Sequence, residues 1–158
     1  MPEEIYTALT NPLTIELWTG EAAVMSTEVG SEFSMWDGSI VGKNLEFEEN
    51  KKIVQQWYFD GQEAESIVTI KFHADKNGTY VELMHTNIPD SDYQDITEGW
   101  GDAYFGSLFE FFSIWICVIF VVILPQRKQR LSTEATEKNI LDGLYVFWWL
   151  HPFGNFNS

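Results

Sequence analysis

The most informative part of the chain is the stretch IPDSDYQDITEGWGDAYFGSLFEFF, which runs from Ile88 to Phe112. It opens with Pro, Asp and Ser, a combination typical of helix starts, and further acidic residues follow where the helix dipole favours negative charge. Apolar residues then recur every three or four positions, at Ile96, Trp100, Tyr104, Leu108 and Phe112. This spacing predicts an amphipathic helix with an unusually aromatic face. Gly99 and Gly101 flank Trp100, and we expect them to let the helix backbone come close to a neighbouring group.

The composition limits the kinds of partner that the protein can have. The chain has 158 residues, which suits one domain, and a formal net charge of −15. Nucleic acids and anionic lipid headgroups both require basic patches, so neither is an expected partner. Cys117 is the single cysteine and excludes an internal disulfide, and the start MPEEIYTALT lacks the pattern of a signal peptide. We therefore expect a cytoplasmic protein.

The residues before the long helix predict two short helices and an antiparallel sheet. The helices are expected over 2–9 and 13–18, with a break at Asn11-Pro12. Hairpin turns are expected at Asp37-Gly38 and Asn77-Gly78. The predicted strands are 22–27, 32–36, 40–48, 53–59, 66–74 and 79–86. An antiparallel sheet with helices on one face belongs to the α+β class.

Three ordered runs carry a resemblance to a known family: SEFSMWDGSIVGKNLEFEENKKIVQQWYF, SIVTIKFHADKNGTYVELMHTNIP and EGWGDAYFGSLFEF. Their motifs are Trp36-Asp37-Gly38, Lys52-Ile53-Val54 with Trp57, Asn87-Ile88-Pro89, and Glu98-Gly99-Trp100 with Tyr104-Phe105. Over residues 3–112 the chain resembles the domain shared by activators of heat-shock protein 90 ATPase, part of the SRPBCC superfamily. The resemblance implies the START-like helix-grip fold, a curved antiparallel sheet wrapped around a long C-terminal helix with an apolar cavity. It also implies a heat-shock protein 90-type chaperone as a possible partner.

The chain departs from this family at both ends. Such domains usually begin with a strand before the first helix, and here Met1 falls almost at that helix, so we expect the first strand to be missing. Its absence would leave backbone groups unpaired at a sheet edge. Residues 1–112 hold 21 acidic and 5 basic residues, whereas residues 113–158 hold 3 and 4. We therefore divide the chain into an N-terminally truncated helix-grip domain, 1–112, and an atypical apolar tail, 113–158.

The tail opens with eleven uninterrupted apolar residues, Ile114 to Leu124, and four interpretations of this run compete. Residues 104–124 would be long enough for a membrane span with basic residues just beyond it, although part of this stretch belongs to the predicted helix and a membrane contact is not favoured. The run would otherwise form a strand that replaces the missing first strand, or extend the helix into an oligomer contact. The fourth interpretation is an altered reading of the end of the gene.

A set of mostly apolar residues is predicted to converge between the sheet and the long helix, where it would line a ligand cavity. The set consists of Trp36, Trp57, Phe59, Val68, Ile70, Leu83, His85, Trp100 and Tyr104. Core packing without a ligand is the alternative, because aromatic residues in a small domain are more often simply buried.

The sequence contains no recognisable catalytic, metal-binding or cofactor-binding motif. HExxH, P-loop, dinucleotide and GxSxG patterns are all missing, so no catalytic residue, metal or cofactor is expected. His85 is the best acid–base candidate, with Glu46 as a possible neighbour, and a buried, hydrogen-bonded histidine is the alternative. Three functions remain open: a non-enzymatic module that binds a small apolar ligand, a co-chaperone-like domain that stimulates the ATPase of a heat-shock protein 90 homologue, and a cyclase- or hydratase-type enzyme.

Overall fold

The structure is a computed structural model that describes residues 1–61, 64–76, 78–113, 117–123 and 143–152. Two helices open the chain, α1 (Pro2–Thr10) and α2 (Pro12–Thr19). Five strands follow, β1 (Glu32–Met35), β2 (Ile40–Glu48), β3 (Lys52–Trp57), β4 (Ser66–Asp75) and β5 (Gly78–Thr86). The next region, the grip helix, joins α3 (Tyr93–Gly99), a π-helical turn (Trp100–Phe105) and α4 (Gly106–Ser113). Two further strands are β6 (Cys117–Ile123) and β7 (Gly143–Pro152).

The described strands form one antiparallel sheet in the order β1-β2-β3-β4-β5-β7-β6. The first five strands are a meander in chain order, and β7 pairs with the edge of β5. The helices pack on one face of this sheet. The predicted α+β class and helix-grip architecture are therefore confirmed.

The core lies between the inward face of the sheet and the helices. Strands β3, β4 and β5 alternate, so Ile53, Ile70 and Leu83 point inward while their neighbours are more exposed. Ile15 of α2 and Leu108 of α4 pack into the same cluster. Burying a side chain of this size contributes about 1.5–3 kcal/mol, so the sheet and the helices stabilise each other.

Local chemistry explains the break between the first two helices. The Asn11 side chain accepts hydrogen bonds from the backbone N–H groups of Leu13 (3.0 Å) and Thr14 (3.4 Å), which caps α2. The indole N–H of Trp18 donates to the carbonyl of Ala8 at 2.8 Å and ties α2 to α1. Both helices were expected at these positions.

Several sequence predictions differ from the structure at element boundaries. The strand predicted over 53–59 ends at Trp57, and the strand predicted over 32–36 ends at Met35. Residues 22–27 do not form a strand, because only Val24 makes an isolated bridge, to Ser34. Beyond it, the Ser26 hydroxyl accepts a hydrogen bond from the N–H of Glu28, which turns the chain away from the sheet. The grip helix begins at Tyr93 and not near Pro89. Residues 89–92 first form a turn, in which the N–H of Asp92 donates to the carbonyl of Pro89.

The apolar run after the grip helix contains a strand. Cys117–Ile123 pairs with β7 along its whole length, so the run does not extend the helix over these residues. The run forms a strand over these residues, but β7 and not β6 occupies the edge of β5, so replacement of the missing first strand by this run stays a prediction. Among the described residues, no helix is long and apolar enough to cross a membrane. Residues 114–116 and Leu124 lie outside the described ranges, and the division at residue 112 stays a prediction.

Candidate ligand-binding cavity

A cavity of about 250 Å³ lies between the β1–β2 hairpin, the end of β3 and the grip helix. Its wall is formed by Trp36, Ser39, Ile40, Trp57, Asp95, Ile96, Gly99, Trp100, Ala103 and Tyr104. Four of the nine predicted ligand-binding residues are among them: Trp36, Trp57, Trp100 and Tyr104. Asp95 is the charged residue in this wall.

The β1–β2 hairpin holds Trp36 at the cavity through a strained turn. The N–H of Ser39 donates to the carbonyl of Trp36 at 3.1 Å, which closes a four-residue turn. Its central residues, Asp37 and Gly38, have φ values of 50° and 91°, as a type I′ turn requires. Trp36 itself has a φ of 49°, which is rare for a bulky side chain. The left-handed backbone costs about 1–3 kcal/mol, so the surrounding structure must hold the tryptophan in place.

Two buried tryptophans form the inner wall. The rings of Trp57 and Trp100 stack with centroids 4.7 Å apart, and Tyr104 lies 4.5 Å from Trp100. The indole N–H of Trp57 donates to the Gln55 side chain at 3.4 Å, and that of Trp100 donates to His85 at 3.1 Å. Because both N–H groups are bonded inside the protein, these residues present hydrocarbon ring surface to the cavity.

A chain of buried amides supports Trp57 from behind. The Gln55 amide donates to the Asn44 side chain at 2.9 Å, and the Asn44 amide donates to the Ser26 carbonyl (3.0 Å) and the Ser31 hydroxyl (3.1 Å). Both amide side chains are almost fully buried, so their polar atoms must be paired. These bonds connect the cavity wall to the loop before β1.

His85 lies behind Trp100 in a second buried network. Its Nε2 is 2.8 Å from the hydroxyl of Ser66, which also donates to the Thr86 carbonyl at 3.2 Å. An indole N–H can only donate, so Nδ1 of His85 accepts from Trp100 and the hydrogen of the neutral ring lies on Nε2. Burial lowers the pKa of His85 to about 3, which keeps the ring neutral.

This network leaves His85 unable to act as a base. Its unprotonated nitrogen is occupied by Trp100, and Ser66 receives a hydrogen bond from the ring instead of giving one. Glu46 does not share the site, because a β-bulge between Asn44 and Glu46 shifts the alternation of β2. Glu46 lies on the outer side, where Lys52 binds it at 2.8 Å. The buried, hydrogen-bonded alternative for His85 therefore describes the structure.

The remaining predicted residues belong to the core and not to the cavity wall. They are Phe59, Val68, Ile70, Leu83 and His85. A ligand-binding role for any of the nine predicted residues stays a prediction. Among the described residues, no group of three His, Cys, Asp or Glu side chains could hold a metal ion.

Sequence reasoning missed several wall residues on the grip helix and the hairpin, namely Ser39, Ile40, Asp95, Ile96, Gly99 and Ala103. Four-residue spacing links Ile96 to Trp100 and Tyr104, and this signal identifies the wall once the helix is known. The expected close backbone approach at Gly99 is wrong, because a Cβ there would meet no atom within 4 Å. Gly99 instead borders the open cavity.

A π-helical turn carries the two central aromatic residues of the wall. It spans Trp100–Phe105, and the N–H of Gly106 donates to the carbonyls of Gly101 and Ala103. A Cβ on Gly106 would lie 3.2 Å from the Gly101 oxygen, so the wide turn favours glycine there. Such turns are rare and often occur at functional sites.

Known proteins are similar to the first part of the chain. The family described as "Activator of Hsp90 ATPase homolog 1-like protein" matches residues 1–113. The activator of 90 kDa heat shock protein ATPase homolog of Dictyostelium discoideum is 35% identical over 102 residues, which are 63% of this chain and 27% of that protein. A second relative, homolog 2 of the same activator from Mus musculus, is 28% identical over 71 residues, 45% of this chain and 22% of that protein. The chain thus spans about a quarter of the length of these relatives.

Solved structures agree with these sequence matches. The crystal structure of an HSP90 activator from Plasmodium falciparum has a TM-score of 0.62 and 30% identity, covering 72% of this chain and 87% of that one. The structure of CalU16 from Micromonospora echinospora, with a TM-score of 0.61 and 24% identity over 71% of this chain and 69% of that one, shows the shared fold alone. Because the family matches residues 1–113 and a solved relative shares the fold, the chain belongs to the family of Activator of Hsp90 ATPase homolog 1-like proteins.

Proposed function

We propose that this domain is a non-enzymatic binding module that holds a small apolar ligand in the cavity beside the grip helix. The observation that carries the proposal is the cavity of about 250 Å³, whose wall contains three tryptophans and a tyrosine. Sites for drug-sized ligands occupy roughly 300–1,000 Å³, so the ligand proposed here is smaller.

The polar groups of the wall support an apolar ligand with few hydrogen-bonding atoms. The N–H groups of Trp57 and Trp100 are already paired within the protein. Tyr104 is a buried residue of the cavity wall that carries a hydroxyl group. Burial raises the pKa of Tyr104, so this hydroxyl is neutral and adds no charge to the wall.

The strain at Trp36 also supports a binding role. A tryptophan with a φ of 49° is costly to hold, and strained residues of this kind cluster at functional sites. A cyclase- or hydratase-type activity finds no such support, because His85 has no free basic nitrogen. We therefore propose binding without catalysis.

Filling the cavity tests this function. Small neutral probes such as indole and cyclohexanol would be titrated while the indole N–H signals of Trp57 and Trp100 are followed by NMR. Ala103 is an exposed wall residue, so Ala103→Leu should narrow the cavity and weaken binding at least about tenfold, a loss of about 1.4 kcal/mol. Ala74→Leu is the control, because Ala74 is also exposed and lies near the end of β4 outside the wall. Unchanged affinity in Ala103→Leu would exclude this cavity as the binding site.

A second candidate function is the stimulation of a heat-shock protein 90-type chaperone, for which family membership is the specific observation. The Dictyostelium and Plasmodium relatives are both named as activators of that chaperone. The chain matches only about a quarter of the Dictyostelium protein, so stimulation would require this domain to act without the rest of such a protein. A cytoplasmic location, as expected from the sequence, forms part of this proposal.

An ATPase assay tests the second candidate. Adding the domain to a purified heat-shock protein 90 should raise its rate of ATP hydrolysis. Leu13 and Leu17 lie one turn apart on α2, each 71% exposed, and they offer an apolar contact surface. The double variant Leu13→Gln, Leu17→Gln should reduce the stimulation, whereas Ala103→Leu should leave it unchanged. If the wild-type domain neither binds the chaperone nor changes its rate, this second function is ruled out.

A further inference from the structure

The cavity combines aromatic rings with one carboxylate. Asp95 is exposed and lies in the cavity wall beside Ile96, one turn of helix before Gly99. Among the described residues it forms no salt bridge, and no lysine or arginine lines the cavity. The wall therefore offers a negative charge that the protein does not neutralise.

The aromatic residues add a second attraction for positive charge. The face of an indole ring is negative, and tryptophan is the best side chain for cation–π contact. Trp36, Trp57 and Trp100 reach the cavity from three different elements, and Tyr104 joins them. Two of the indole N–H groups are bonded within the protein, so the cavity meets aromatic ring atoms and not these polar groups.

The charges of the surrounding domain act in the same direction. Residues 1–112 hold 21 acidic and 5 basic residues. Lys52 is paired with Glu46 and Glu48, and Lys71 is paired with Glu82, all on the outer face of the sheet away from the cavity. An excess of one sign of charge raises the local concentration of ligands of the other sign.

We infer that the preferred ligand of this cavity is a small quaternary or N-methylated ammonium ion, an apolar methylated group that also carries a positive charge; this inference rests on the proposed binding function. A primary ammonium ion needs several hydrogen-bond acceptors to replace its water, and the wall supplies few polar residues besides Asp95 and Ser39. A methylated ammonium ion presents C–H groups to the rings and needs no such acceptors. Recognition of quaternary ammonium ions by aromatic cages is a common use of cation–π contacts.

The test compares choline with its neutral isostere, 3,3-dimethylbutan-1-ol, in which a carbon atom replaces the nitrogen atom. Both probes have the same shape, so the ratio of their affinities isolates the effect of charge. NMR titration of the intact chain should show choline binding at least about tenfold more tightly, equivalent to about 1.4 kcal/mol. Added salt should weaken choline binding and leave the isostere unaffected, because screening acts on the charged ligand alone.

Two variants and one control locate the effect. Asp95→Asn keeps the shape of an exposed side chain and should reduce choline affinity about two- to fivefold, as expected for an exposed charge pair. Trp36→Leu keeps an apolar side chain and should remove most of the preference for choline over the isostere. Asp102→Asn is the control, because Asp102 is an exposed acid of the same helix outside the cavity wall.

The outcomes separate this inference from the proposed function. If the isostere binds as tightly as choline, or if Asp95→Asn and Asp102→Asn behave alike, the cation preference is wrong while an apolar binding site remains. If neither probe nor any neutral aromatic probe perturbs Trp57 and Trp100, both the inference and the proposed function fall. A preference for choline that Asp95→Asn and Trp36→Leu each reduce supports the inference.

Discussion

Acidification should destabilise this domain through His85. Its ring is fully buried, and burial lowers its pKa to about 3 from an ordinary value of 6.5. Below pH 6.5 the unfolded chain takes up a proton that the folded ring does not accept, so protons favour unfolding. The stability contribution of the neutral ring is therefore complete above about pH 6.5 and is lost progressively as the pH falls towards 3. Each pH unit in this window costs up to about 1.4 kcal/mol, so the loss between pH 7 and pH 5 is about 2 kcal/mol.

Urea unfolding at pH 7 and pH 5 measures this loss. The variant His85→Gln keeps one donor and one acceptor for Ser66 and Trp100 but does not titrate. Its loss in free energy of unfolding between pH 7 and pH 5 should therefore be about 2 kcal/mol smaller than that of the wild type. The control is His73→Gln, because the His73 side chain is 48% exposed beside Glu82. The stability that His73→Gln loses between pH 7 and pH 5 should equal the loss in the wild type. Equal losses in the wild type and in His85→Gln would refute the assignment of the acid sensitivity to the buried ring.

Three further predictions concern the core and the sheet. Trp57→Ala and Trp100→Ala should each lower the free energy of unfolding by about 3–5 kcal/mol, and an unchanged urea midpoint for either variant would contradict a shared core. Gly42→Ala should cost about 1–3 kcal/mol or more, because its Cβ would lie 2.0 Å from a backbone oxygen of β3; wild-type stability would show that the strands do not approach so closely. A chain that ends at Phe112 lacks β7, so the edge of β5 is exposed and the protein should self-associate through it, which light scattering would detect as an increased molar mass. A stable monomer would show that β7 is not needed to prevent this association.

The sequence predicts those parts of the fold that depend on neighbouring residues. Asp37-Gly38 indicates the type I′ hairpin because few residues tolerate two successive positive φ angles. The alternation of Ile70 with Lys71 is enough to assign the inward face of β4. Such signals involve residues close together in the sequence, so they can be recognised without knowledge of the tertiary structure.

The candidate site is harder to predict because it depends on distant contacts. The tautomer of His85 is set by Trp100, fifteen residues further along the chain. The β-bulge after Asn44 turns Glu46 outward against the expected alternation. Asp95 carries no local pattern that distinguishes it from other acidic residues of the helix start, and only the packing of the hairpin gives it a role.

The π-helical turn has a consequence for the rotational phase of the grip helix. In an α-helix, a step of four residues overshoots one full turn by about 40°, so three such steps would drift by about 120°. Ile96, Trp100, Tyr104 and Leu108 are spaced by four residues, yet the last three are all buried and Ile96 packs against the same core. The π-helical turn at Trp100–Phe105 has more residues per turn, so each residue rotates by a smaller angle and the drift is reduced. Removing one residue from it would rotate Leu108 by about 100° relative to Trp100, so the two ends of the helix would no longer face the sheet together.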